Sequence, residues 1–253
     1  MKFTHALARL PADSAVRGLT SAGLGAPDMQ QMRAQHRDYL RILESIGLEV
    51  SLMQPDDHFP DSCFVEDTAV VTQSIGIITR PGAVSRRGEE QAVEPWLATH
   101  RPIEHIVAPG TVDGGDVLVT GERVLIGLSA RTNAKGAGQL AEILEAEGMR
   151  CIKLPAGNAL HLKSSVNELG DDRLLVTPDF ADCAELRNFE CTVVPAEESY
   201  AGNSLWINGR VVVPTGFAKT RKLIDALGIE TIEADVSEFR KLDGGLSCLS
   251  IRL

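Results

Sequence analysis

The sequence predicts a closed α/β ring of five similar units. Three observations carry this. Helical and strand-like segments recur in the order strand, strand, helix, strand, at intervals of roughly 40 to 55 residues, a period that marks repeat architectures. The last unit lacks one strand, and the N-terminal segment can supply it. The polar residues with chemical potential fall almost entirely in the loops that a ring would bring to its centre. The alternative is an open α/β sheet without symmetry.

The chain opens on a strand, Lys2 to Leu10. A first helix is expected from Asp28 to Ile46, where Met29, Met32, Tyr39, Leu40 and Leu43 share one face at helical spacing. Further helices are expected over Ser85 to Ala98, Ala130 to Glu147, Pro178 to Phe189 and Lys219 to Leu227, with Ala137, Leu140, Ile143 and Leu144 as the inward stripe of the third. Gly47, Gly148 and Gly228 follow three of these helices as C-caps. After each helix comes a short apolar strand: Leu48 to Met53, Ile103 to Val107, Cys151 to Leu154, Cys191 to Val194 and Ile229 to Ile232. A polar loop follows each strand, and the first four loops lead into strand pairs, clearest at 117–126 and 205–213. Asn208-Gly209 is the turn signal of a tight hairpin. The fifth unit ends with the single strand Leu246 to Leu253, which the N-terminal strand can complete.

Bulk properties bound the function. With 253 residues, 43% hydrophobic and 24% charged, the chain can bury a sizeable core, and it reads as one domain over 1–253. A formal net charge of −10 argues against nucleic-acid binding, which needs a basic footprint, and fits a small cationic ligand. No apolar run has the length of a membrane span, and the N-terminus lacks a signal-peptide core. Five cysteines, at 63, 151, 183, 191 and 248, follow no metal or redox spacing; the expectation is reduced thiols in the cytoplasm and no metal site.

The tract Phe59-Pro60-Asp61-Ser62-Cys63-Phe64-Val65-Glu66-Asp67 sets three carboxylates among bulky apolar side chains, immediately before the apolar run 68–72. Carboxylates against apolar walls require a cation, and a guanidinium could supply both charge and paired hydrogen bonds. The competing reading is an acidic loop capping a strand. The other loops hold Asp113-Gly114-Gly115-Asp116, then His161, then Asn203, then Asp243-Gly244-Gly245-Leu246-Ser247-Cys248. Brought together, these support nucleophilic catalysis by a cysteine: Cys248 as nucleophile, His161 as acid and base, Asp113 orienting the imidazole. Separately each has a plainer reading, as a packing thiol, a core histidine and a turn. Cys63 is the rival thiol, and alternation within its tract turns it away from the neighbouring side chains. Arg86, Arg87 and Arg131 could bind an α-carboxylate or lie free on the surface.

Seven motifs in order carry a resemblance over essentially the whole chain: Gly18-Leu19-Thr20-Ser21, the acid tract, Ile78 to Ala83 with Ser85-Arg86-Arg87-Gly88, Asp113 to Asp116, Ser129 to Asn133, Leu160-His161-Leu162-Lys163, and Lys241 to Cys248. On these the chain resembles the dimethylarginine dimethylaminohydrolases of the guanidino-group-modifying (pentein) superfamily. The resemblance implies a five-bladed α/β propeller with pseudo-fivefold repeats. It implies hydrolysis of Nω,Nω-dimethyl-L-arginine, or the monomethyl form, to L-citrulline and a methylamine through a covalent thiouronium on Cys248, without a cofactor. It implies that Asp67 grips the guanidinium directly and that Leu19, Asp61, Glu66, Arg86, Arg131 and Leu242 line the substrate pocket, with Phe64, inside the acid tract, counted among them. At Asp113 some bacterial members carry Glu. A homodimer is a possible assembly. Competing readings are an arginine deiminase or another guanidino- or ureido-group hydrolase, an amidinotransferase, and a non-catalytic binding protein of the same fold.

Overall fold

In the computed structural model, which describes residues 2–157 and 159–253, five three-stranded sheets close into a ring. The strands are β1 (His5–Arg9), β2 (Glu49–Met53), β3 (Ala69–Val71), β4 (Gly76–Ile78), β5 (Ile103–His105), β6 (Val117–Thr120), β7 (Arg123–Leu128), β8 (Arg150–Pro155), β9 (Val166–Gly170), β10 (Arg173–Val176), β11 (Glu190–Val193), β12 (Leu205–Ile207), β13 (Arg210–Pro214), β14 (Glu230–Ala234) and β15 (Ile251–Arg252). Four sheets take three consecutive strands each, from β3-β4-β5 to β12-β13-β14. The middle strand pairs antiparallel with the first and parallel with the third. The fifth sheet, β15-β1-β2, follows the same rule using both ends of the chain: Leu7 sits opposite Ile251 and Ala8 opposite Leu52. Neighbouring sheets meet along their first strands, β15 beside β3, β6 beside β9 and β9 beside β12. This is the α/β propeller that the repeat predicted, and it removes the open-sheet alternative.

The parallel step in each unit needs a crossover, and α-helices occupy four of the five, one of them only in part. The first, α1 (Met29–Ser45), starts at Asp28, whose carboxylate accepts from the backbone of Gln30 and Gln31, and it buries Met32, Tyr39, Leu40 and Leu43. Two crossovers depart from the expected helices. Over 85–98 only α2 (Glu94–Ala98) is α-helical; left-handed Gly88 and the inward pull of buried Arg86 and Glu89 break the earlier part into 3₁₀ turns. Over 178–189 there are only the 3₁₀ turns Pro178–Phe180 and Ala184–Leu186, because Cys183 is extended between them and Asp182 and Asn188 are poor helix formers. The helix α3 (Ala134–Ala146) begins four residues later than expected. Asn133 caps it through Gly136 N–H at 2.8 Å, and Ser129 Oγ draws the N–H groups of Arg131 and Thr132 into a turn. The remaining helices are α4 (Ala218–Ala226) and α5 (Ser237–Arg240). Gly47, Gly148 and Gly228 all have positive φ, as C-caps require, and Asn208 (φ 50°) with Gly209 (φ 86°) makes the tight β12–β13 hairpin. The C-terminal strand is shorter than expected, since Ser247–Leu249 forms a 3₁₀ turn before β15. No described helix is long and apolar enough to cross a membrane.

Candidate active site

Each of the five loops expected at the centre passes through a 3₁₀ segment: Val65–Thr68, Gly114–Asp116, Leu162–Ser164, Ala196–Gly202 and Ser247–Leu249. The first three pack in succession, as do the third with the fourth and the fifth with the first. Their buried backbone N–H groups need acceptors, and polar side chains of neighbouring loops supply them. Asp67 Oδ1 accepts from Gly115 N at 2.9 Å, Asp116 Oδ1 from Leu162 N at 2.9 Å, and Asn203 Oδ1 from Ser247 N at 3.0 Å. Asn203 Nδ2 donates to the carbonyl of Lys163 at 3.0 Å, so it ties the His161 loop to the Cys248 loop. The convergence inferred from the repeat is therefore hydrogen-bonded from loop to loop.

His161 stands at the join of the first three loops. Its Nε2 meets Asp113 Oδ2 at 3.0 Å and lies 3.8 Å from Asp67 Oδ1. Asp113 Oδ1 accepts from Gly82 N at 2.8 Å, which fixes the carboxylate; the shorter aspartate reaches the imidazole without difficulty. Among the described residues Nδ1 has no hydrogen-bond partner, so one face of the ring is free for proton transfer. A side chain at Gly115 would put a Cβ 2.8 Å from both Asp67 Oδ1 and His161 Nδ1, so glycine is required for this approach. Burial disfavours the imidazolium, but the charge of Asp67, the bond to Asp113 and the charge of Asp116 outweigh it and raise the His161 pKa to about 9. Asp67 is drawn down to about 2: burial opposes this, and His161, Arg86 and the Gly115 N–H prevail. Asp67, Asp113 and His161 each bring one ligand-type atom within 4.8 Å of the others. Within the trio the imidazole meets both carboxylates directly, Asp113 at 3.0 Å and Asp67 at 3.8 Å.

Cys248 is the middle residue of the fifth 3₁₀ segment and is 9% exposed. That segment packs on Val65–Thr68. Burial, followed by the charges of Glu66 and Asp67, pushes the thiol up to about 12. Glu66 accepts at a single oxygen, Oε1, from Lys163 Nζ and Arg252 Nη2, both at 2.7 Å. Its Oε2 is buried and has no hydrogen-bond partner among the described residues. Cys63 is 1% exposed, and burial, then the charge of Asp61, drives its thiol up still further.

Arg86, expected as a substrate contact, is buried and engaged by protein acceptors at all three nitrogens. Nη1 pairs with Asp67 Oδ2, Nη2 with Glu89 Oε2 at 2.7 Å and the Phe64 carbonyl at 3.0 Å, and Nε with Glu89 at 3.1 Å. It acts as a strut behind the acid tract. Phe64 is likewise packed in the core, edge-on to Phe239 at 6.2 Å between centroids, and a side chain at Gly244 would collide with it. The other expected contacts gather at the rim. The backbone N–H of Leu19 donates to Asp61 Oδ1 at 2.9 Å, and Leu242 is buried beside Gly18. Burial raises the Asp61 pKa, and the positive charge of Arg131 acts on it from across the rim. The Arg131 guanidinium makes no hydrogen bond or ion pair among the described residues. Two cavities adjoin the cluster. One of about 580 Å³ is lined by Ser21, Leu160, Ser164, Asn203, Asp243 and Gly245, the other of about 560 Å³ by Glu66, Lys163, Asn167, Ser247, Ser250 and Arg252 among others. Neither is lined by Cys248 or His161.

A family model described as arginine deiminase matches residues 57–201. The N(G),N(G)-dimethylarginine dimethylaminohydrolase of Pseudomonas aeruginosa is 45% identical over 252 residues, 99% of each chain. That of Streptomyces coelicolor is 37% identical, covering 100% of this chain and 98% of its own. The chain belongs to the dimethylarginine dimethylaminohydrolase family. A solved structure of the P. aeruginosa protein, a cysteine-to-serine mutant complexed with citrulline, matches with a TM-score of 0.98 at 44% identity, covering 100% of both chains. The N-terminal domain of ArgZ, an arginine dihydrolase, matches at 18% identity with a TM-score of 0.86, over 98% of this chain and 97% of its own, and shows the shared pentein fold.

Three site residues escaped the reading of the sequence. Lys163 lies within one of the seven motifs, and Glu89 and Arg252 lie outside all of them. Glu89 follows Arg86 by three residues, a spacing that on a helix pairs opposite charges at the surface. Here burial pushes its carboxyl up to about 7 despite Arg86. Arg252 sits at the end of the chain, where no local pattern marks a buried cation.

Proposed function

We propose that this chain hydrolyses Nω,Nω-dimethyl-L-arginine, or its monomethyl counterpart, to L-citrulline and the corresponding methylamine, with Cys248 as nucleophile and His161 as acid–base residue. The observation that carries the reading is the meeting of the Cys248 turn with two buried carboxylates, Glu66 and Asp67, beside a His161–Asp113 pair. Acids in such a place call for a cation, and the nearby thiol and imidazole are what a carbon–nitrogen cleavage requires.

A guanidinium is a weak electrophile because resonance spreads its charge. Asp67 and the open Oε2 of Glu66 would grip its nitrogens and fix the carbon before the sulfur. Arrival of this cation also offsets the two charges that hold the thiol neutral, so Cys248 releases its proton to solvent as the substrate binds. The thiolate forms a sulfur–carbon bond. Protonated His161 gives its proton to the dimethylamino nitrogen, and the carbon–nitrogen bond breaks, leaving an S-alkylthiouronium. His161, now neutral, takes a proton from water as the oxygen bonds to carbon; the sulfur–carbon bond then breaks, the remaining hydroxyl proton passes to the departing thiolate, and citrulline is released. Asp113 holds the imidazole in place throughout. At the rim, Asp61 and the Leu19 backbone would meet the α-amino group, and Arg131, with its free guanidinium, the α-carboxylate.

Incubation with dimethylarginine, monomethylarginine, arginine and agmatine, measuring citrulline and released amine, tests the proposal. Turnover of the methylated arginines is expected, together with its loss in a folded Cys248→Ser variant. Turnover of arginine alone would make the chain a deiminase, and no turnover of any of the four by folded protein would refute the enzymatic reading.

A further inference from the structure

Arg252 joins the two halves of the site through one buried guanidinium. Its Nη2 donates to Glu66 Oε1 at 2.7 Å. Its Nη1 donates to the carbonyl of Ser247 at 3.1 Å, to the carbonyl of Ser250 at 2.6 Å and to Ser250 Oγ at 2.9 Å. Ser247 and Ser250 bracket Cys248. Ser250 Oγ is itself braced by the hydroxyl of Tyr39 on α1 at 2.7 Å. The guanidinium therefore clamps the turn that carries the sulfur to one of the carboxylates that faces it. Lys163 reaches the same oxygen of Glu66 from another loop but makes no side-chain bond to the Cys248 turn. Charge compensation and positioning are thus divided: both cations balance Glu66, and Arg252 alone also carries the mechanical link.

We propose that Arg252 is a positioning residue for the reaction, fixing the Cys248 turn against Glu66 and so setting the line along which sulfur approaches the guanidinium carbon. This rests on the reading of Cys248 as nucleophile. An arginine suits the task because its planar fork offers donors in two directions at once, whereas an ammonium is a compact point charge. The other bonds at this turn run from Cys248 N to the Gly245 carbonyl at 3.2 Å and between Ser247 and Asn203, which accepts from Ser247 N at 3.0 Å and donates to Ser247 Oγ at 3.1 Å; none of them reaches Glu66.

The test is steady-state turnover of dimethylarginine by the full chain carrying Arg252→Ala or Arg252→Lys, with circular dichroism to establish folding. Misplacement of a reacting atom by about 1 Å is worth on the order of 100-fold in rate. A fall of that order in kcat is expected for Arg252→Ala, and of at least about tenfold for Arg252→Lys, with KM changed less than about threefold in either. If Arg252→Ala does not fold, Arg252→Lys decides. A folded lysine variant with wild-type kcat would reduce the role to charge alone and overturn the proposal, as would a loss confined to KM. Absence of turnover in the wild-type protein would instead refute the reading of the site itself.

Discussion

The charge state of Cys248 before substrate arrives can be measured directly. Burial and the charges of Glu66 and Asp67 push its thiol up to about 12, against an ordinary value of 9.0. Each pH unit below the pKa reduces the thiolate tenfold, so at pH 7 the free protein would hold roughly one thiolate in 10⁵ molecules, about 1,000-fold fewer than an ordinary cysteine. His161, raised to about 9, would be protonated over the same range. The resting pair is then neutral thiol with imidazolium, rather than a preformed ion pair. Alkylation by iodoacetamide reports the thiolate. With Cys63, Cys151, Cys183 and Cys191 replaced by serine or alanine in a folded background, or with modification at Cys248 followed by peptide mass analysis, the second-order rate should climb about tenfold per pH unit between pH 6 and 8. A non-hydrolysable guanidinium ligand that seats its charge at Asp67 without covering the sulfur should accelerate alkylation. A plateau at or below pH 7 would mean that the thiolate exists without substrate, and would refute the argument that the carboxylates hold the thiol neutral.

Asp113→Asn replaces the acceptor that lies 3.0 Å from His161 Nε2; kcat should fall by about 10²- to 10⁴-fold in steady-state assays, the usual worth of a positioned acid–base group. Arg131→Ala should raise KM for dimethylarginine by roughly 10- to 100-fold, the loss of a charge-assisted hydrogen bond to a carboxylate, while an amine lacking that carboxylate, such as agmatine, should show no change in affinity. Outside the site, His36 is fully buried with both ring nitrogens unpartnered, and burial lowers its pKa to about 4. The unfolded chain binds this proton near 6.5, so the stability His36 permits is complete above about pH 6.5 and is lost as pH falls towards 4. Between pH 7 and 4.5 that amounts to about 2–3 kcal/mol, which His36→Leu should spare; urea unfolding of both proteins at the two pH values measures the difference, and equal losses would show that His36 does not titrate in the fold.

The ring was legible in the sequence because the units bury one face of a short sheet and most of them one face of a helix, and those faces leave periodic apolar marks at 29–45, 117–126, 134–146 and 205–213. Its closure was legible because the last unit lacks a strand. Where the expectation departed from the structure, local pattern met tertiary demand. The segments 85–92 and 178–189 carry residues that would suit a helix, but Arg86 and Glu89 are pulled into the acid tract and Cys183 is extended between two 3₁₀ turns. The residue types of the site were legible too, since carboxylates among apolar side chains, a loop histidine and a loop thiol each carry a chemical implication wherever they lie. Their partners were not. Arg86 looked like a hand for the substrate and is spent on Asp67 and Glu89. Glu66, expected to line the substrate pocket, is the point where Lys163 and Arg252 converge. Periodicity and residue chemistry are local properties of a chain and survive in its sequence. Which charge neutralises which depends on distances between loops up to 186 positions apart, and only closing the ring sets those distances.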